Sequence, residues 1–185
     1  MAFHGSIACI IPKIGYIEFR LTPAIQALDY TQEIKYINRI DHVNLKKWFE
    51  YQIEIGKKYL AEELKPLVIL ERPMVNPQRF NSSKIALRAF ESTLIVLELL
   101  NLDYIIIDSK KWQHYFFGKN TSLIDLKYES QKRGIEVIDS YGQLTNKDLK
   151  KCINNELITE MKNIMVSHGD GDSLLMCEYA IQELI

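Results

Sequence analysis

The sequence has little cysteine, no excess of either charge and no long apolar run, and each shortage removes a class of protein. The 185 residues include three cysteines, Cys9, Cys152 and Cys177, all far apart. None belongs to a Cys-x-x-Cys pair, so the set reads as reduced, buried thiols in a cytoplasmic protein rather than as a disulfide scaffold or a zinc site. Twenty-three Lys and Arg stand against 24 Asp and Glu, a net charge of -1. Such a chain is no polycation, and any contact with nucleic acid has to come from local basic patches. Apolar stretches are strand-sized or broken by charge, and no basic N-terminal segment leads into one. A signal peptide, a spanning helix and a membrane partner are therefore not expected. A Gly-rich phosphate loop, a Ser/His/Asp order, internal repeats and low-complexity tracts are missing too, which weighs against nucleoside-triphosphate and acyl-transfer enzymes.

What remains is an ordinary globular composition, 47% hydrophobic and 25% charged, in a length that suits one domain. Residues 6–11 and 14–21 read as two strands parted at Pro12-Lys13, and residues 33–37 as a third. Asp41 is placed to cap a helix running to about Glu63, in which Leu45, Trp48, Phe49, Gln52 and Ile53 recur at helical steps. Residues 67–70 form an unalternating apolar run of the kind covered on both faces of a sheet, ending at Glu71 before Pro73 and Pro77. A helix from Ser82 or Ser83 to about Leu100 and a strand over 104–107 complete a β-α-β unit with parallel strands. Beyond Trp112 the pattern is weaker: a helix over 123–131, a strand or loop over 135–138, one or two helices over 146–164, and a last amphipathic helix over 172–184.

Acidic residues occupy the ends of these elements. Glu71 ends an apolar strand, where a carboxylate is poorly solvated unless a cation or a donor meets it; a strand-end carboxylate solvated by the loop is the alternative. Asp170 and Asp172 flank Gly171 after His168 and Gly169 at a helix start, a position that favours negative charge; a plain N-cap role for Asp172 is the alternative. Acids from two elements suit a divalent-cation site, since two-ion phosphodiester hydrolysis needs several carboxylate oxygens around ions about 4 Å apart. Hard oxygen ligands favour Mg²⁺ or Mn²⁺. Arg79 and Lys84, then Lys110, Lys111 and Lys119 around Trp112, Tyr115 and Phe116, are the candidate DNA contacts, the rings stacking bases while the cations meet phosphates, unless they are solvated lysines around a core aromatic.

Across residues 68–80, 87–91, 107–113 and 172–180, in this order, the chain resembles the RuvC family of Holliday-junction resolvases, especially its phage-type members, within the RNase H-like superfamily. The resemblance implies an α/β fold with a mixed five-stranded sheet flanked by helices. It also implies Mg²⁺-dependent cleavage of branched DNA by a homodimer. Glu71 would be the second-motif metal ligand and Asp172 the ligand on the last helix. Family members place an Asp or His three or four residues before that Asp, so His168 is the first choice for the remaining ligand and Asp170 the second. The family's first motif, an Asp ending the first strand, has no counterpart here: no Asp or Glu precedes Glu18. On this alignment that strand would lie upstream of Met1, so the expectation is a single RuvC-like domain over 1–185, either N-terminally incomplete or a degenerate relative. A catalytically impaired module that binds branched DNA or a protein without cutting it is the competing reading.

Overall fold

A computed structural model describes residues 5–29, 36–60, 66–119, 123–143 and 168–185, with backbone alone at 123–125, 142, 143 and 168. The helices expected over 146–164, and Cys152 with them, lie outside the described residues. Strand β1 (Ser6–Ile11) and strand β2 (Tyr16–Leu21) pair antiparallel, with Ser6 opposite Leu21 and Ile11 opposite Tyr16. The turn between them is a single 3-10 turn over Pro12–Ile14, closed by Gly15 in the left-handed region at φ 62°. Pro12 fixes its own φ for the turn, and glycine takes the positive φ without a Cβ clash.

A second antiparallel pair joins β3 (Ala24–Leu28) to β4 (Tyr36–Ile40). Strand β3 has no counterpart in the sequence reading, and β4 lies about three residues later than expected. Asp29, just past β3, is buried and meets Lys84 Nζ at 3.1 Å and Arg88 Nη1 at 3.5 Å. These contacts fasten the pair to the following helical layer and balance a charge that could not otherwise be buried.

Helix α1 (His42–Tyr59) starts as expected at Asp41, whose carboxylate accepts from the backbone N–H of Asn44 at 3.1 Å. That bond, foremost, holds the Asp41 carboxyl below its usual range. Helix α2 (Phe80–Leu99) connects β5 (Leu67–Glu71) to β6 (Asp103–Ile107), which pair in parallel, Glu71 beside Ile107. Helix α3 (Ser109–Phe117) follows β6 directly. Helix α4 (Leu123–Gln143) is continuous, so residues 135–138 are helical rather than strand or loop. Helix α5 (His168–Glu183) begins four residues before the expected start, which places Asp172 inside its first turns rather than at an N-cap.

The alternation of β1 and β2 sorts their side chains into two layers. On one side Ile17, Phe19, Ala8 and Ile10 meet Val137, Ile138 and Tyr141 of α4 and Leu174, Leu175 and Met176 of α5. On the other, Ile7 joins Ile40, Leu45 and Val96, while Cys9, Ile11 and Tyr16 pack near Ile55 and Tyr59 of α1. Glu18, on this second side, accepts from Tyr16 Oη (2.5 Å), Gln52 Nε2 (2.9 Å) and Trp48 Nε1 (3.1 Å). The result is a mixed α/β protein with helices on both faces of a central ladder. Leu174 has no exposed surface; its truncation to alanine is expected to destabilise by about 2–5 kcal/mol, measured by urea unfolding.

The described strands form three separate two-stranded ladders. The β5–β6 ladder departs most from expectation. Its apolar run reads as covered on both faces, yet Tyr104, Ile105 and Ile106 keep 36%, 38% and 38% of their surface exposed. Only Ile107, with Ile69 against it, reaches the main core. Among the described residues no helix is long and apolar enough to cross a membrane.

Candidate metal centre

The carboxyl ends of parallel strands carry unpaired backbone groups and the following loops, and ligand sites concentrate there. Here that edge presents Glu71, the last residue of β5, with Arg72 after it, and Asp108, Ser109, Lys110 and Lys111 after β6. Residues from the other end of the sequence close over the same edge, because α5 packs against β1, β2 and β5. Asp172, on its first turns, lies near enough to Glu71 for the two charges to interact.

Glu71 keeps surface of its own, but neighbouring atoms crowd its carboxyl. That partial desolvation, and then the charge of Asp172, raise its pKa above the ordinary glutamate range, while a hydrogen bond from Ser109 opposes the rise. Asp172 accepts from Ser130 Oγ of α4 at 2.5 Å through Oδ1. Asp170, only 5% exposed, accepts from Ser6 Oγ of β1 at 2.7 Å. Each of the three acids therefore has a serine hydroxyl donated from a different element.

Helices α4 and α5 meet with no room to spare at Gly171. A Cβ there would come within 2.4 Å of the Ser130 carbonyl oxygen and 2.7 Å of its carbonyl carbon. This close approach explains a glycine between two aspartates in the middle of a helical turn, where glycine is otherwise unfavourable.

Of the residues singled out in the sequence, the fold brings Glu71 and Asp172 together and sets Asp170 two positions from Asp172 on α5. The side chain of His168 lies outside the described residues. Arg79, Lys110, Lys111 and Lys119 are exposed. Lys84 is mostly enclosed and bonded to Asp29, so its charge serves the β3–α2 junction. Trp112 corrects the expectation of a base-stacking ring: at 1% exposure it sits in the main core, edge-on to Phe117, with its indole nitrogen buried and without a hydrogen-bond partner. Tyr115, 44% exposed on the same helix, offers the accessible ring. Cys9 and Cys177 are free thiols. Burial raises both, Cys177 to about 12, which suppresses the thiolate and leaves them as packing groups.

The serines and Gly171 carry no spacing signature and escape a reading based on acids. Among the described residues no three His, Cys, Asp or Glu side chains converge closely enough to hold one metal ion. The donor set fits a hard cation bound through two carboxylates, Glu71 and Asp172, with its other positions filled by water or phosphate oxygens, as Mg²⁺ commonly is. A cation between them would also offset the repulsion that adds to desolvation in raising Glu71. No family model matches the sequence, and no curated protein matches it either.

Proposed function

We propose that this chain is an RNase H-like, metal-dependent endonuclease domain that hydrolyses phosphodiesters in branched DNA as a homodimer. The observation that carries this reading is that Glu71, at the carboxyl end of a parallel strand pair, and Asp172, from the opposite half of the chain, lie near enough for their charges to interact. Mg²⁺ or Mn²⁺ held there would polarise a phosphate oxygen and lower the pKa of a bound water. Glu71 and Asp172 supply the hard oxygen ligands, while Arg79, Lys110 and Lys111 supply charge that holds the DNA backbone against the same edge. In the reaction a water oxygen bonds to phosphorus, one P–O ester bond breaks, and the departing oxygen takes a proton.

The parallel β5–β6 pair joined through α2, with α5 packed against β1, β2 and β5, supports the RNase H-like reading.

A second reading, binding of branched DNA without cleavage, is favoured by the lack of a three-ligand cluster among the described residues. A labelled four-way junction with Mg²⁺ separates the two. The proposal expects nicks that require the cation and are lost in Glu71→Gln. Equal nicking by both proteins would refute the site, and cation-independent binding without nicks would establish the binding module.

A further inference from the structure

We infer that Ser130 is a positioning residue for the proposed cation site, fixing through a single residue both the spacing of α4 and α5 and the direction of the Asp172 carboxylate. The inference rests on the reading of Glu71 and Asp172 as cation ligands. Two contacts carry it. The Ser130 carbonyl lies where only glycine at 171 can approach, so this residue sets how closely α5 docks on α4. Its hydroxyl, 2% exposed as a residue, donates to Asp172 Oδ1 at 2.5 Å.

A carboxylate on a flexible side chain loses rotamer freedom when it binds an ion, and a partner that restricts it beforehand reduces that loss. Ser130 thus keeps Asp172 oriented without touching the ion. Ser109 donates in the same way to Glu71, but only Ser130 joins the helix contact to the ligand contact.

The test is Mn²⁺ affinity, read by electron paramagnetic resonance of the free ion, on the full chain and on Ser130→Ala, Asp172→Asn and Ser140→Ala. Ser140 lies exposed on the same helix and bonds its own backbone at Glu136, so its variant controls for serine loss on α4. Ser130→Ala is expected to weaken Mn²⁺ binding about 10-fold or more, as loss of an outer-shell partner does, while Ser140→Ala leaves it unchanged. Thermal unfolding of the metal-free proteins is measured alongside. A lowered melting temperature with undiminished Mn²⁺ affinity in Ser130→Ala would make the residue merely structural and overturn the inference. Undiminished affinity in Asp172→Asn would instead overturn the site itself, and the inference with it.

Discussion

Gly171→Ala is expected to destabilise the protein by about 3 kcal/mol or more, the upper end of the cost of forcing a methyl group into a packed interior. The added Cβ would lie 2.4 Å from a backbone carbonyl oxygen and 2.7 Å from its carbon. Backbone cannot rotate away as a side-chain tip can, so α4 and α5 must separate along their length. Their contact buries Val137, Ile138, Leu174 and Leu175, and separation exposes part of that core to water. Helix propensity acts in the opposite direction, because alanine is better than glycine by about 1 kcal/mol in a helix interior. The steric effect exceeds it several-fold. Urea denaturation of the two proteins measures the difference, and an alanine variant as stable as the parent would show that the helices are not in contact at this point. Asp172, on the next residue, should lose its bond to Ser130 in the same variant, so cation affinity should fall together with stability.

Elements with a strong local pattern were legible in the sequence, although for β6 that pattern overstated the burial. The β-branched runs of β1, β5 and β6, and the apolar stripe of α1 behind Asp41, announce themselves by local pattern. Strand β3 does not, since Ala24-Ile-Gln-Ala-Leu28 has good helix formers and becomes a strand through its pairing with β4. Ile135, Val137 and Ile138 suggested a strand by composition, yet Val137, Ile138 and Tyr141 lie on one side of α4 and bury that side in the main core. Glycines 169 and 171 concealed the true start of α5. Their cost to a helix is visible in sequence, whereas the neighbouring Ser130 backbone that requires Gly171 is not.

The same division holds at the candidate site. Glu71 and Asp172 were legible because an acid at the end of an apolar strand, and another beside glycines near a helix start, are chemically conspicuous. Their serine donors, Ser109 and Ser130, come from two other elements at no fixed separation, and only the tertiary structure relates them. Trp112 shows the opposite error. A tryptophan among lysines matches a base-stacking surface in sequence, but α3 turns the ring inward and the lysines outward.

Glu71→Gln is expected to reduce cation-dependent nicking of a four-way junction by about 100-fold or more, beyond what loss of an outer-shell partner costs, while making the metal-free protein more stable at neutral pH. The sign follows from the raised pKa of Glu71. A carboxyl whose pKa is higher in the folded than in the unfolded chain favours folding when protonated. Its contribution is full below the unfolded value and is lost as the pH rises through the folded one. At neutral pH the ionised Glu71 is partly desolvated and faces Asp172, so its charge opposes folding until a cation offsets it. Glutamine keeps the shape, still accepts the Ser109 hydroxyl through its amide oxygen, and removes the charge. The variant should therefore melt higher than the parent in chelator at neutral pH, and the difference should shrink as the pH falls into the ordinary glutamate range. Added Mg²⁺ should raise the melting temperature of the parent and leave the variant unmoved, because a cation stabilises only the state it binds. Differential scanning fluorimetry across pH, with and without Mg²⁺, reads all three effects. A variant that melts lower than the parent in chelator would mean that Glu71 is held by favourable contacts within the fold, as a structural carboxylate is, rather than waiting on a cation.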